Sequence, residues 1–282
     1  GVTATRLQYD PASEVLVVGT AQGVRLIDSR TGMVQEPVLA DQLVQALALG
    51  PDGVVLAGTK AGWLVGIDPV TGTERFRVMA HPERTVGELG IPGVGTATVP
   101  HLPSSAVRGV AAIAYDPASH TLATAGFGYA RFWDVGSGST TPIESVALTW
   151  TLAANRLAGG PTAAAFTDGG SALLVADPFY EWRIERASGA VTSGSPVRER
   201  LSFVTQGDWT APSLIDSGRL LTAFTGGFVT VSDFVGGTLE RQLQHGVGEP
   251  TSMSVAADGD RILVSGSEGV VILSLRGDGP IS

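Results

Sequence analysis

Six times along the 282 residues a short apolar stretch runs into an Asp-containing turn, in LQYDPASE, LGPDGV, IAYDPASH, FTDGGS, LIDSGR and VAADGD. The aspartates are Asp10, Asp52, Asp116, Asp168, Asp216 and Asp258, spaced by 42, 64, 52, 48 and 42 residues. No other feature constrains the fold as strongly, because a unit repeated at a near-constant period builds an array and not a single irregular core. Asp binds its own backbone two residues on, Pro presets φ and Gly accepts positive φ, so each of these pairs reverses the chain tightly.

The same grammar follows every turn. A small, β-rich strand comes first (VLVVGT, VVLAGT, TLATAG, ALLVAD, LLTAFT, ILVSGS), then a turn, then a further strand (VRLID, WLVGID, ARFWDV, YEWRIE, FVTVSDF, VVILSL). Short runs of Val, Leu, Thr and aromatics bounded by Gly, Asp and Ser are strand and hairpin signals, and no segment holds a 3.6-residue apolar period. The chain therefore reads as all-β. Near-continuous apolar strands need cover on both faces, and open stacked sheets would expose long unpaired edges. Radial packing solves both problems, which predicts a β-propeller with six recognisable four-stranded blades and a seventh if the chain is a section of something longer.

Composition narrows the function classes. Net charge is −9, with 16% charged residues, so there is no basic footprint for a phosphate backbone and nucleic acid is not an expected partner. The 18 basic residues are Lys60 and 17 arginines, a bias that, with the Ala, Gly and Val richness, points to a high-GC bacterial coding sequence. Cysteine is absent, which removes disulfides, thiolate metal sites and a cysteine nucleophile. No 18-residue apolar run and no basic-then-apolar leader occurs in these residues, so no membrane partner is expected and the expected location is cytoplasmic.

YDPASHTLATAGFGYARFWDVGSG, Tyr115 to Gly138, resembles a WD repeat, with Trp133 and Asp134 as the pair that gives the family its name. LQHGVGEPTSMSVAADGDRILVSGSEGVVILSL, Leu243 to Leu275, resembles the same unit, with His245 in the inter-blade turn. The resemblance spans six units and implies a single WD40-like propeller over 1–282, in which a His, an Asp, a Ser or Thr and the Trp form a hydrogen-bonded relay within a blade. Elsewhere the pair becomes Ile27 and Asp28, Ile67 and Asp68, or Ser232 and Asp233, so most blades are expected to rest on apolar packing between sheets. Trp133, Asp134, His245 and the six turn aspartates are the expected structural anchors. The last unit stops after its third strand near Leu275, so the chain reads as cut within a blade and as a section of a larger protein.

Two stretches depart from the repeat. The segment 81–106 is an insertion of about 22 residues between blades, with His81, Arg84 and His101, and long connections in compact domains are often functional. RERLSFVTQGDWTAP, Arg198 to Pro212, brings together Arg198, Arg200, Phe203 and Trp209, residue types enriched in binding hot spots. These seven residues are the candidate partner-binding set.

Catalytic patterns are absent: the four histidines have no i, i+2 or i+4 partner, and no nucleophile elbow or P-loop occurs. GIDPVTGTERFRV, Gly66 to Val78, faintly resembles a quinoprotein repeat but carries Phe76 where that repeat has Trp. No metal or cofactor is expected. The resemblance implies a non-catalytic scaffold or sensor that docks a protein or peptide on one propeller face, within a larger bacterial regulator. The alternative is a propeller enzyme, a lactonase or other hydrolase, with carboxylates converging on the central channel.

Overall fold

A computed structural model describes residues 4–81, 109–126, 129–135, 142–147, 163–176, 181–193, 209–214, 219–224, 226–233, 239–255 and 260–276. The architecture is all-β, and the described residues form six small antiparallel sheets taken in chain order. The first sheet holds β1 (Ala4–Asp10), β2 (Val15–Thr20) and β3 (Gly23–Asp28). The second holds β4 (Val44–Leu49), β5 (Val55–Thr59), β6 (Trp63–Ile67) and β7 (Glu74–Met79). The third holds β8 (Ala112–Asp116), β9 (Thr121–Gly126), β10 (Tyr129–Asp134) and β11 (Glu144–Ala147). The fourth holds β12 (Ala163–Thr167), β13 (Ala172–Ala176), β14 (Glu181–Glu185) and β15 (Val191–Ser193). The fifth holds β16 (Trp209–Leu214), β17 (Arg219–Phe224), β18 (Phe228–Asp233) and β19 (Leu239–Gln244). The sixth holds β20 (Pro250–Val255), β21 (Arg261–Gly266) and β22 (Gly269–Ser274).

Four sheets thus have the expected four strands, while the first and last have three described strands each. In the first, the chain beyond β3 still pairs with it at two isolated bridges, Val24 with Val38 and Ile27 with Val34. The first strands of successive sheets lie side by side, and β1 also lies beside β20. Because each four-stranded sheet is an antiparallel meander, every sheet-to-sheet connection falls at the end where the first strands begin, together with the turns between second and third strands. The hydrogen bond from Thr5 Oγ1 to Val44 O (2.7 Å) ties the starts of β1 and β4 together at that end.

The turns form as their residues dictate. Tyr9-Asp10-Pro11-Ala12-Ser13 and Tyr115-Asp116-Pro117-Ala118-Ser119 are the same five residues, and they fold the same way. Asp10 accepts from Ala12 N (3.1 Å), Ser13 N (3.3 Å) and Ser13 Oγ (2.5 Å); Asp116 accepts from Ala118 N (3.2 Å) and Ser119 Oγ. Glu14 and His120, one residue on, both take positive φ (56° and 49°), the left-handed step that returns the chain to its sheet. Asp52 and Asp168 lie in short 3-10 turns instead, and Asp216 and Asp258 lie outside the described residues. A second repeated device closes the far side of β3 and β6: Asp28 accepts from Arg30 N and Thr31 N, and Asp68 from Val70 N and Thr71 N. The Asp68 carboxyl is held well below the usual carboxylate range, first by the Arg75 side-chain hydrogen bond and then by these backbone donors.

Packing between sheets makes the core. One face of the first sheet (Val15, Val17, Val24, Leu26) meets Val44, Val55, Ala57, Val65 and Ile67 of the second. The other face of the second (Ala46, Leu56, Leu64) meets Val110, Ile113, Leu122 and Trp133. Ala112, Ala123, Ala130 and Phe132 meet Leu173, Val175, Trp182 and Ile184 of the fourth sheet, and Leu221, Val229 and Val231 of the fifth meet Ile262, Val264 and Leu273 of the sixth.

One seam has a polar clamp as well. Arg186, in the turn after β14, donates to Ser119 Oγ (3.0 Å), Thr121 Oγ1 (2.7 Å) and Gly170 O (2.9 Å), and its guanidinium lies 5.7 Å from the Phe166 ring centroid. Replacing Arg186 by Ala is expected to lower stability by about 1–2 kcal/mol in urea denaturation, with Arg186→Lys recovering only part of it, because the planar fork serves three acceptors at once.

Candidate functional site

The connection between β7 and β8 is the longest departure from the repeat, and its described feet are fastened to the sheets. On the outgoing side Ala80 N (2.9 Å) and His81 N (3.0 Å) both donate to Gly62 O, and Arg131 Nη1 donates to Ala80 O (2.6 Å). On the returning side Val110 N donates to Thr59 O (3.0 Å) and Ala111 N to Ala125 O (2.9 Å). Lys60 N donates to Leu43 O (2.8 Å), which joins the preceding connection to the same turn. Backbone groups here have partners, as a buried chain end requires.

His81 is the centre of this arrangement. The ring is buried, and its Nε2 lies 3.1 Å from Thr124 Oγ1, which accepts the indole N–H of Trp133 at 3.0 Å. The hydroxyl can accept from Trp133 while it exchanges a hydrogen bond with His81, so one Thr on β9 satisfies two buried groups. The ring fits because residue 126 is Gly: a Cβ there would come within 2.6 Å of His81 Nδ1 and 2.5 Å of Gly109 O. His, Thr and Trp are three of the four members of the relay that the WD resemblance implies, and Gly126-Phe127-Gly128 between β9 and β10 offers no carboxylate for the fourth. The His81 ring is therefore turned into the blade.

Burial, and then the Arg131 charge, depress the His81 pKa to about 3, against an opposing hydrogen bond to the Thr124 backbone. With its pKa lowered to about 3, the ring is neutral at physiological pH. His245 has a related place in the connection between β19 and β20. It is buried, Val247 N donates to its Nδ1 (3.1 Å), and its Nε2 lies 2.9 Å from Phe224 O. Because Nδ1 accepts, the proton sits on Nε2 and donates to that carbonyl.

The remaining expected site residues separate. Arg84, His101, Arg198, Arg200 and Phe203 lie outside the described residues. Trp209 begins β16, the first strand of the fifth sheet, so Trp209 to Pro212 belong to a sheet. Trp133 is buried at the seam of the second and third sheets, and Asp134 ends β10 half-buried. Among the described residues no group of three or more His, Asp or Glu is placed to hold a metal ion. Nor is any described helix long and apolar enough to cross a membrane. Arg6, on β1, has its pKa lowered by burial, and it donates to Thr5 O at 2.7 Å. Sequence reasoning missed the His81 relay and the Arg186 clamp; Ala80-His81 at the end of the fourth strand, ahead of a first strand, was the available signal for the relay.

Among solved structures, a chain of the mitotic checkpoint complex is similar over 99% of this chain and 75% of its own length, at 13% identity and a TM-score of 0.60. No family model and no curated protein matches the chain. The likeness and the all-antiparallel sheets fit a β-propeller. They define fold, and fold does not carry function.

Two outcomes are expected. Thr124→Val keeps the shape but leaves the Trp133 N–H and the His81 ring without a partner, and is expected to cost about 2–4 kcal/mol in urea denaturation. Between pH 6.5 and pH 4.5 the unfolded chain takes up a proton at His81 that the folded chain refuses. Stability is therefore lost as pH falls through this window, by up to about 1.4 kcal/mol per pH unit from this group. His81→Gln is expected to remove that share of the slope when stability is measured at pH 7 and pH 5.

Proposed function

We propose that the chain is a non-catalytic, six-bladed WD40-type propeller that docks a protein or peptide partner, as a section of a larger bacterial regulator. The observation that carries this reading is the clamping of both feet of the 82–108 connection by buried hydrogen bonds at one end of the sheets. Rigidly mounted connections on a stable scaffold are where binding residues concentrate. In the antiparallel order of the sheets, β15 ends at the same end of its sheet as β7 does of its own, and the connections that follow hold the two candidate stretches. WD40 type is supported by the His81, Thr124 and Trp133 geometry, and a six-membered ring by the contact of β1 with both β4 and β20.

The test is affinity capture from a lysate of a high-GC bacterium with the intact chain and with residues 82–106 replaced by a short Gly-Ser linker, keeping His81 and the returning foot in place. The expected outcome is loss of specific partners with the linker variant at an unchanged melting temperature. An unchanged captured set would sink the loop reading. A combined Arg198→Ala and Arg200→Ala variant tests the second stretch in the same assay.

A further inference from the structure

Arg6 brings a charge to β1 that the sheet does not require. It pairs with Gly19 as Ala46 of β4 pairs with Gly58, and each residue follows an irregularity in register, Ala4/Arg6 and Val44/Ala46. The matching position of the second sheet is thus filled by a buried methyl group, so strand geometry does not call for a long cationic side chain. Register also fixes its direction. Arg6, Gln8 and Asp10 lie opposite Gly19, Val17 and Val15, on the face that meets the second sheet. A Cβ added at Gly19 would come within 3.3 Å of Arg6 Cβ and 2.9 Å of Val44 Cγ1. Arg6 therefore stands between the starts of β1 and β4, at the end of the sheets from which the 82–108 connection leaves.

The charge has no counterpart there. Its guanidinium donates to Thr5 O (2.7 Å) and makes no further hydrogen bond or ion pair among the described residues. Burial alone lowers its pKa, with no anion near enough to raise it. A guanidinium stays protonated and holds out a planar fork of donors, most of which are left over here. Among the described first strands (ATRLQYD, VQALAL, AIAYD, AAAFT, WTAPSL and PTSMSV) Arg6 is the sole cation. The two carboxylates on those strands, Asp10 and Asp116, end them at the opposite side and are engaged by their own turns. Asp10 lies about 13 Å further along β1. A partly desolvated charge is costly without a partner, and paired N–H donors fit a carboxylate.

We propose that Arg6 is a carboxylate-recognition site, at which an acidic side chain of a docked partner segment enters between the starts of β1 and β4 and is held by the guanidinium fork. The site rests on the docking reading above and adds to it the chemistry of the partner, an Asp or Glu presented to the connection-bearing end. Charge complementarity makes the contact selective: the chain has a net charge of −9, so an acidic segment is attracted at this point and repelled by the molecule as a whole.

The test screens a displayed library of random peptides against the whole chain and measures the enriched peptides on Arg6→Gln and Arg6→Lys. The enriched sequences are expected to share an Asp or Glu. Arg6→Gln is expected to weaken them by about tenfold and to leave their Asp→Asn or Glu→Gln analogues unchanged, while Arg6→Lys recovers only part because an ammonium lacks the fork. Arg6→Gln is also expected to melt at the same temperature or higher, since it removes a charge without a partner. A clear fall in melting temperature would make Arg6 a structural residue and overturn the proposal. Enriched peptides without an acidic residue, or bound equally by Arg6→Gln, overturn it and leave the docking reading standing. If no peptide is enriched, titration with sodium acetate against sodium chloride at equal ionic strength, followed at the Arg6 Nε–H resonance, separates the two failures. A saturable acetate shift assigns the site to a small free acid and overturns only the partner segment as its source. No shift overturns the carboxylate site itself.

Discussion

Every sheet in this protein is too thin to own a core, and the structure depends on neighbouring sheets lending each other their apolar faces. Val17 and Leu26 are buried only because Val55 and Val65 stand opposite, and Leu173 and Ile184 only because Ala123 and Phe132 do. The hydrophobic gain thus belongs to seams and not to strands, roughly in proportion to the apolar area each seam hides. Polar groups are held close to this framework. Thr124 serves Trp133 and His81 at one end of a seam, and Arg186 serves three acceptors at the opposite end of the next.

The relay and the connection it anchors are one construction. His81 both ends a strand-bound path and begins a stretch that leaves the sheets, so the hydrogen bonds that stabilise the third sheet also fix where that stretch departs. A neutral, buried imidazole is well suited to this, because it holds directional bonds without bringing a charge into an apolar seam. Placement here comes from packing, with Gly126 leaving room for the ring and Arg131 tying down the carbonyl of Ala80.

The repeat was legible because its signals are local. Asp-containing turns and short β-branched runs each act over a handful of residues, and together they located the first three strands of all six sheets. What resisted reading were contacts between units. Thr124 lies 43 residues beyond His81, and Arg186 lies 65 to 67 residues beyond the hydroxyls it binds. An insertion beginning at His81 looked like surface because Pro82 follows and Ala80 stands where the WD pattern has Gly.

Seams of unequal strength give the series of sheets a mechanical direction. Buried apolar clusters join the first sheet to the second, the second to the third, the third to the fourth and the fifth to the sixth, and among the described residues none joins the fourth to the fifth or the sixth to the first. Fluctuations that part the sheets should begin at the two joints without such a cluster and spare the run from the first sheet to the fourth. Anything that bridges either of those joints would act as a clasp, so that the sheets on its two sides resist opening together.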